Sequence, residues 1–154
     1  MRYDYIDPFV ATTLRVLGST IRGTVRQGDV TVLQGDRMKG DVAVMVRVTG
    51  DAEGDVILSM ETATALKICS ALFGKDFESM SPQSEDALME LANMITGNAV
   101  SALNDQGFDF AVSPPAVITR EGTAGSAASV ESMQIPLFSD CGEMTMNVVL
   151  SAAY

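Results

Sequence analysis

The sequence predicts an α+β fold, with a largely antiparallel β-sheet covered by helices. Helix-like and strand-like segments follow one another in the order helix, strands, helix, helix, strands, which is typical of α+β proteins. The strand-like segments alternate apolar and polar residues, and a tight turn joins two of them. No linker interrupts the 154 residues, so we expect one domain that spans residues 1–154.

The first helix should begin at Asp7 and Pro8, because Asp is a good N-cap and Pro suits the first helical position. Glycines break the pattern from Gly23 onwards, so the helix should end before that residue. Apolar side chains recur between these limits at helical spacing: Val10, Leu14, Leu17 and Ile21.

Strands should follow this helix. A short one is expected around residues 30–33, and residues 42–48 alternate with every second residue a valine. The segment GDAEG, residues 50–54, is typical of a tight hairpin turn, and residues 55–60 then form the return strand.

Two helices come next. Residues 61–74 are amphipathic and should stop at Gly74, with an inward side made of Leu66, Cys69, Leu72 and Phe73. The longest helix should start with Ser81 as N-cap and Pro82 in the first position, and should end near residues 106–107.

Further strand-like segments complete the chain. They are FDFAVSPPAVIT, ASVESMQIPLF and EMTMNVVLSAA, of which the last alternates most clearly. The Gly/Ala/Ser-rich residues 120–129 between them should form a mobile loop.

Composition excludes several classes of function. Twenty acidic and 10 basic residues give a net charge of -10, which argues against nucleic acid and against an anionic membrane as partners. The absence of His removes the usual general base and imidazole metal ligands. Cys69 and Cys141 match no metal spacing and should be buried free thiols, which indicates a reducing, cytoplasmic setting. The N-terminus is unlike a signal peptide, and no run approaches the roughly 18 apolar residues of a membrane span.

The longest helix has two distinct sides when its residues are placed about 100° apart around the helix axis. The apolar side contains Leu88, Leu91, Ile95, Ala99, Ala102 and Leu103. The opposite, polar stripe contains Asp86, Glu90, Asn93, Gly97, Ser101 and Asn104, with Met94 at its edge.

This stripe could simply be a solvated helix face, since polar outer faces are the norm. Three details favour a docking surface instead. Asn93 and Gly97 are poor helix formers where Lys, Glu or Gln would serve better, Gly97 leaves a bare notch, and Met94 supplies a flexible apolar contact. We therefore expect Asp86, Met94, Gly97 and Ser101 to contact a partner beside Glu90 and Asn93.

Glu90 and Asn93 suit one kind of chemistry. They lie one helical turn apart, and a carboxamide can both donate to and accept from one water. Positioning of an in-line water is what hydrolysis of an activated phosphoryl group needs, while the carboxylate could pair with a cation on a partner. A metal or small-molecule site is disfavoured, because no carboxylate cluster with ligand spacing and no phosphate-binding glycine motif is present.

At these residues the sequence resembles the CheC/CheX family of chemotaxis phosphatases, and most of all its CheX branch. The stretch LMELANMITGNAVSAL contains the family's E-x-x-N pattern as Glu90 and Asn93, followed by Met94 and Gly97. The segments YIDPFVAT, VTGDAEGDVILSMETATALKICSALFG and GFDFAVSPPAVITREG extend the resemblance over most of the chain.

The resemblance implies a CheC/CheX-like fold in which two pseudo-symmetric halves form a sheet with the long helices on one face. It implies an enzyme that hydrolyses the aspartyl phosphate of the response regulator CheY. Asn93 would orient the attacking water and Glu90 would form a salt bridge with a receiver lysine. No cofactor would be bound by this chain, because the catalytic Mg²⁺ belongs to the receiver.

Some family members have a second site in the first helix, but residues 1–22 here contain neither Glu nor Asn. The nearest other imitation, Glu131 with Gln134, lies in an expected strand, where a spacing of three directs side chains to opposite faces. We therefore expect one site per chain. The resemblance also implies a homodimer formed through the sheets. A non-catalytic adaptor of the same fold, binding a receiver or a flagellar-switch protein, is the alternative.

Overall fold

The computed structural model describes residues 6–34, 40–119 and 131–152. Its helices are α1 (Ile6–Ile21), α2 (Thr62–Phe73) and α3 (Pro82–Asp105). Its strands are β1 (Val25–Gln27), β2 (Thr31–Gln34), β3 (Val42–Gly50), β4 (Ala52–Met60), β5 (Phe110–Val112), β6 (Ala116–Thr119), β7 (Glu131–Ser139) and β8 (Gly142–Ala152). The loop expected at 120–129 lies outside the described residues.

All eight described strands belong to one antiparallel sheet with the order β1-β7-β8-β4-β3-β5. The short β2 also pairs with β7, and the short β6 also pairs with β3. The predicted α+β class and largely antiparallel sheet are therefore confirmed. That the domain spans residues 1–154 stays a prediction.

The sheet consists of two halves with the same plan. In the first, α1 is followed by β1 to β4, and in the second, α3 is followed by β5 to β8. The two short strands of each half pair with the first long strand of the other half: β1 and β2 pair with β7, and β5 and β6 pair with β3. β4 pairs with β8 at the centre of the sheet. Val25 and Phe110 open equivalent strands, as do Thr31 and Ala116, and each pair is separated by 85 residues.

One face of the sheet and the two long helices enclose the core. The alternating valines of β3 are all buried, as the sequence predicted, and face the buried Val56 and Leu58 across the hairpin. Burial of such side chains contributes roughly 1.5–3 kcal/mol each. The largest fully buried side chains are Phe9, Leu17, Met60, Ile68, Leu88, Leu91, Leu103, Ile135, Leu137, Met144 and Met146.

The hairpin turn predicted at residues 50–54 is present but shorter, because β4 already begins at Ala52, and it lies at a branch point in the sheet. Gly50 has a φ of 113°, and a Cβ at this position would collide with the carbonyl oxygen of Asp109. The end of β3 pairs there with β5, while the start of β4 pairs with β8. Glycine is needed because the backbone is left-handed and another strand approaches closely.

The start of α3 is fixed by a capping box, which confirms Ser81 as N-cap and Pro82 as the first helical residue. The backbone N–H of Ser84 donates to Ser81 Oγ at 3.3 Å, and the Ser81 N–H donates to Ser84 Oγ at 2.7 Å. These bonds satisfy donors that the first turn leaves without a partner. The helix ends at Asp105 with Gln106 as its C-cap, close to the predicted end near residues 106–107.

The predicted start of α1 is one to two residues late. Ile6 is already helical, so Asp7 lies in the first turn instead of capping it. An acidic side chain there still interacts favourably with the positive end of the helix dipole.

The predicted inward side of α2 is partly wrong. Only Cys69 of the four expected residues is buried, while Phe73 is 53% exposed. The buried set is Thr64, Ala65, Ile68 and Cys69. The error is one of helical phase, because α2 has apolar residues on more than one side and its packing against α3 and β8 decides which of them are covered.

The two cysteines differ in burial. Cys69 is a buried free thiol, whereas Cys141 is a half-buried one, which corrects the expectation that both are buried. Burial raises the pKa of Cys69 to about 11, and it also raises the pKa of Cys141. Both thiols are therefore protonated and poor nucleophiles near neutral pH.

Within the ranges that the structure describes, no helix combines the length and the apolar character needed to cross a membrane.

Candidate functional site

α3 packs one side against the sheet and against α1, and leaves the polar stripe on its outer side. Its buried residues are Ser84, Ala87, Leu88, Leu91, Ala92, Ile95, Thr96, Ala99, Val100 and Leu103. Asp86, Glu90, Asn93, Gly97, Ser101 and Asn104 are exposed, and Met94 is half-buried against the core. The predicted stripe is therefore real; Ala102, expected to face the core, is only half-buried.

The three asparagines of α3 differ in whether their side chains form hydrogen bonds within the described residues. Asn104 bonds twice to the backbone of Phe110, accepting from its N–H at 2.9 Å and donating to its carbonyl oxygen at 3.3 Å. Asn98 donates to the carbonyl oxygen of Met94 at 2.6 Å. Asn93 is exposed and has no hydrogen bond among the described residues, so both ends of its amide are free for a partner.

Glu90 is equally free. Its side chain is exposed and forms no ion pair or hydrogen bond within the described parts of the chain. The helix around it carries the acidic residues Glu85, Asp86 and Asp105 but no Lys or Arg. This unbalanced negative charge favours the approach of a cation from outside.

Gly97 forms an open notch one turn beyond Asn93. A Cβ built at this position meets no atom within 4 Å, so the protein itself does not require glycine here. Glycine in a helix interior costs about 1 kcal/mol relative to alanine. Glycine at this position therefore lowers helix stability and is not required by any contact among the described residues.

Two residues near this stripe were not singled out from the sequence. Thr96 Oγ1 donates to the carbonyl oxygen of Ala92 at 2.7 Å, and Asn98 bonds similarly to Met94. Both reach back four residues along the helix. The signal was present as two hydrogen-bonding side chains flanking Gly97, but their direction could not be read from the sequence.

α1 lacks the equivalent of this site. Its residues, Ile6–Ile21, include neither Glu nor Asn. This helix therefore offers no carboxylate–carboxamide pair of the kind that Glu90 and Asn93 form.

No group of three or more His, Cys, Asp or Glu side chains that could hold a metal ion occurs in the described ranges. The chemistry that the stripe offers is hydrogen bonding by Asn93 and ion pairing by Glu90, one turn or about 4.5 Å apart along the helix axis. Both groups are accessible from solvent.

Fold and site together define a class of protein that presents an exposed carboxylate–carboxamide pair on a long helix, held against an antiparallel sheet of two related halves. The family model "Chemotaxis phosphatase CheX" matches residues 42–138, a segment that includes β3, α3 and most of β7. The chain belongs to the CheX family.

Known relatives agree with this assignment. The CheY-P phosphatase CheX of Thermotoga maritima is 29% identical over 101 residues, which cover 64% of this chain and 65% of that protein, slightly less than two thirds of its length. A crystal structure of the chemotaxis protein CheX from Desulfovibrio desulfuricans has a TM-score of 0.84 and 28% identity, covering 96% of this chain and 99% of the other. The CheX–CheY–BeF3–Mg²⁺ complex from Borrelia burgdorferi contains a chain with a TM-score of 0.78 and 27% identity, covering 97% of this chain and 99% of that one.

Proposed function

We propose that this protein accelerates hydrolysis of the aspartyl phosphate on a CheY-type response regulator. The observation that carries the proposal is the free amide of Asn93, exposed on α3 beside the unpaired Glu90 in a chain of the CheX family. The names of two relatives point to the same substrate, one as a CheY-P phosphatase and the other as half of a complex with CheY. Such a reaction places the protein in the cytoplasm, where we infer it acts.

Asn93 orients the attacking water in this proposal. Its Oδ1 can accept a hydrogen bond from the water while its Nδ2 donates to an oxygen of the phosphoryl group. Phosphoryl transfer passes through a loose transition state, so alignment of the water with the breaking P–O bond supplies more of the acceleration than proton removal does. The absence of His from the whole chain is compatible with such a mechanism.

Glu90 fixes the approach of the receiver by pairing with one of its lysines. The carboxylate is exposed and has no competing cation among the described residues, so it can form a charge-assisted hydrogen bond with an incoming ammonium group. Asp86, Met94, Gly97 and Ser101 line the same side of α3 and contact the receiver around this pair.

Mg²⁺ belongs to the receiver in this reaction. Bound there, it neutralises charge that develops on the phosphoryl oxygens. Asp86 and Glu90 on α3 have no third His, Cys, Asp or Glu beside them among the described residues.

The proposal is tested by following phosphate release from a panel of phosphorylated receivers with Mg²⁺, with and without this protein. We expect faster release from at least one CheY-type receiver. Glu90→Ala should raise KM for that receiver and weaken the dependence of KM on salt, because a charge pair has been removed. If no receiver in the panel loses its phosphoryl group faster, the proposed activity is wrong.

A non-catalytic adaptor is distinguished in the same experiment. Such a protein would bind a receiver that carries beryllofluoride, an unreactive mimic of the phosphoryl group, but would leave the phosphate lifetime unchanged. The free amide of Asn93 favours the enzyme, because binding alone requires no unpartnered water-holding group.

We further propose that the protein is a homodimer formed through its sheets. β2 lies at an edge of the sheet and pairs only with β7 among the described strands. Val30, just before this strand, is 43% exposed, and Val32, within it, is 47% exposed. An exposed edge with apolar side chains is suited to pairing with a second copy.

A further inference from the structure

The turn of α3 that carries Asn93 has two hydrogen bonds beyond those of a regular helix. In an α-helix, each carbonyl oxygen accepts from the backbone N–H four residues later. Here the carbonyl oxygens of Ala92 and Met94 also accept from the side chains of Thr96 and Asn98, at 2.7 and 2.6 Å. Ala92 and Met94 are the two chain neighbours of Asn93, so both carbonyls that flank it are restrained.

The side chains that form these bonds flank Gly97, a position with high backbone freedom in the helix. Gly97 lies between Thr96 and Asn98, and glycine gives a helix interior more backbone freedom than any other residue. Thr96 acts from the buried side and Asn98 from the exposed side. The two side chains therefore restrain the turn from residue 92 to residue 98 without placing a side chain in the notch.

Asn98 is the more informative of the two. It is exposed, so packing does not require it, and asparagine is a poor helix former in such a position. Its bond back to Met94 has two effects. It fixes the turn that directs the Asn93 amide outward, and it keeps its own side chain folded against the helix beside the open notch at Gly97.

We propose that Asn98 is a positioning residue for the α3 site, acting through the Met94 carbonyl to hold Asn93 in the orientation that aligns the water. The inference rests on the proposed phosphatase function. Displacements well below 1 Å are enough to weaken catalysis by an aligned group. Loss of the bond should therefore slow the reaction in the bound complex without weakening the complex itself.

The test is steady-state phosphatase kinetics of Asn98→Ala, with thermal unfolding of the same variant. We expect kcat to fall about tenfold, with KM for the receiver and Tm essentially unchanged, because alanine is a better helix former. Asn98→Ser should recover most of kcat, since a hydroxyl can donate to the carbonyl four residues earlier, as Thr13 and Thr96 do in this chain.

Asn104→Ala is the matched control. It removes another asparagine of α3 that bonds to backbone, but at the end of the helix, so it should lower Tm and leave kcat per folded molecule unchanged. If Asn98→Ala retains full kcat in an active protein, the inference is wrong and the phosphatase function stands. A rise in KM at unchanged kcat would show that Asn98 contacts the receiver directly, which also overturns the positioning role. An inactive wild-type protein would overturn the proposed function itself.

Discussion

The two halves of this molecule repeat one plan but treat their helices differently. α1 and α3 precede equivalent pairs of short strands, and both lie on the same face of the sheet. α3 carries Glu90 and Asn93 on its exposed side, whereas α1 contains neither Glu nor Asn. Among the described residues Asn93 makes no hydrogen bond, and a Cβ at Gly97 would meet no atom within 4 Å. The contacts within the described fold therefore do not require either residue.

Both helices contain residues that destabilise a helix interior. α1 has Gly18, and α3 has Asn93, Gly97 and Asn98. The capping box at Ser81 and a length of 24 residues stabilise α3. Long anchored helices can carry locally unfavourable residues where binding requires them.

The largest expected difference between the two helices is the effect of a substitution at Asn93 on the rate of phosphate release. Asn93→Ala should reduce the accelerated rate of phosphate release about 100-fold, as loss of one well-placed hydrogen-bonding group does in other enzymes. Tm should not fall, because the side chain is exposed and makes no hydrogen bond with the part of the chain that the structure describes. Pro8→Ala in α1, outside the polar stripe of α3, should leave the rate per folded molecule unchanged. Equal rates for the wild type and Asn93→Ala would remove the functional distinction between the two helices.

A smaller effect is expected at Gly97. Gly97→Ala should raise Tm by about 2–4 °C, since alanine stabilises a helix interior by about 1 kcal/mol and the new methyl group would meet no atom of the described residues within 4 Å. It should also raise KM for the receiver, by about tenfold, because the notch is filled.

Gly18→Ala on α1 is the control for this substitution. A Cβ there would touch only the carbonyl oxygen of Gly23, at an ordinary 3.6 Å. We expect a similar gain in Tm and no change in KM. If Gly97→Ala also leaves KM unchanged, the receiver does not use the notch.

The edge strands of the two halves provide the third comparison. Val32 in β2 is 47% exposed, whereas its counterpart Val117 in β6 is half-buried and packs against the core. Val32→Lys should weaken the proposed dimer, with a dissociation constant about fivefold higher by analytical ultracentrifugation. Val117→Lys should lower Tm instead. A dimer unaffected by Val32→Lys would place the interface elsewhere.

The smallest effect concerns α2, which has no counterpart in either half. Burial raises the pKa of Cys69 in the folded protein to about 11, from the ordinary 9.0. The fold therefore favours the protonated thiol, and stability present below pH 9 should decline as pH rises from 9 to about 11, by roughly 1–2 kcal/mol. The measurement is urea unfolding at pH 8 and pH 10.5. Cys69→Ala should lose less stability between these pH values than the wild type; an equal loss would show that other groups cause the decline.

The sequence by itself determined the features that depend on local pattern. α3 was predicted from its capping residues and from the 3.6-residue period of its apolar side chains. Its polar stripe was predicted because Glu90, Asn93 and Gly97 lie on one side of the helix in successive turns. The alternation of β3 and the glycine-bounded turn after it likewise predicted their hairpin.

Only the tertiary structure decided what depends on neighbours distant in sequence. It showed that Cys69 but not Phe73 faces the core, since packing selects one of several apolar sides of α2. It placed Asn104 against Phe110 and left Asn93 without a hydrogen-bond partner among the described residues. The physical reason is that the position of a residue within a helix or strand specifies the direction in which its side chain points. The contacts that the side chain makes there depend on the strands and helices that the whole chain packs beside it.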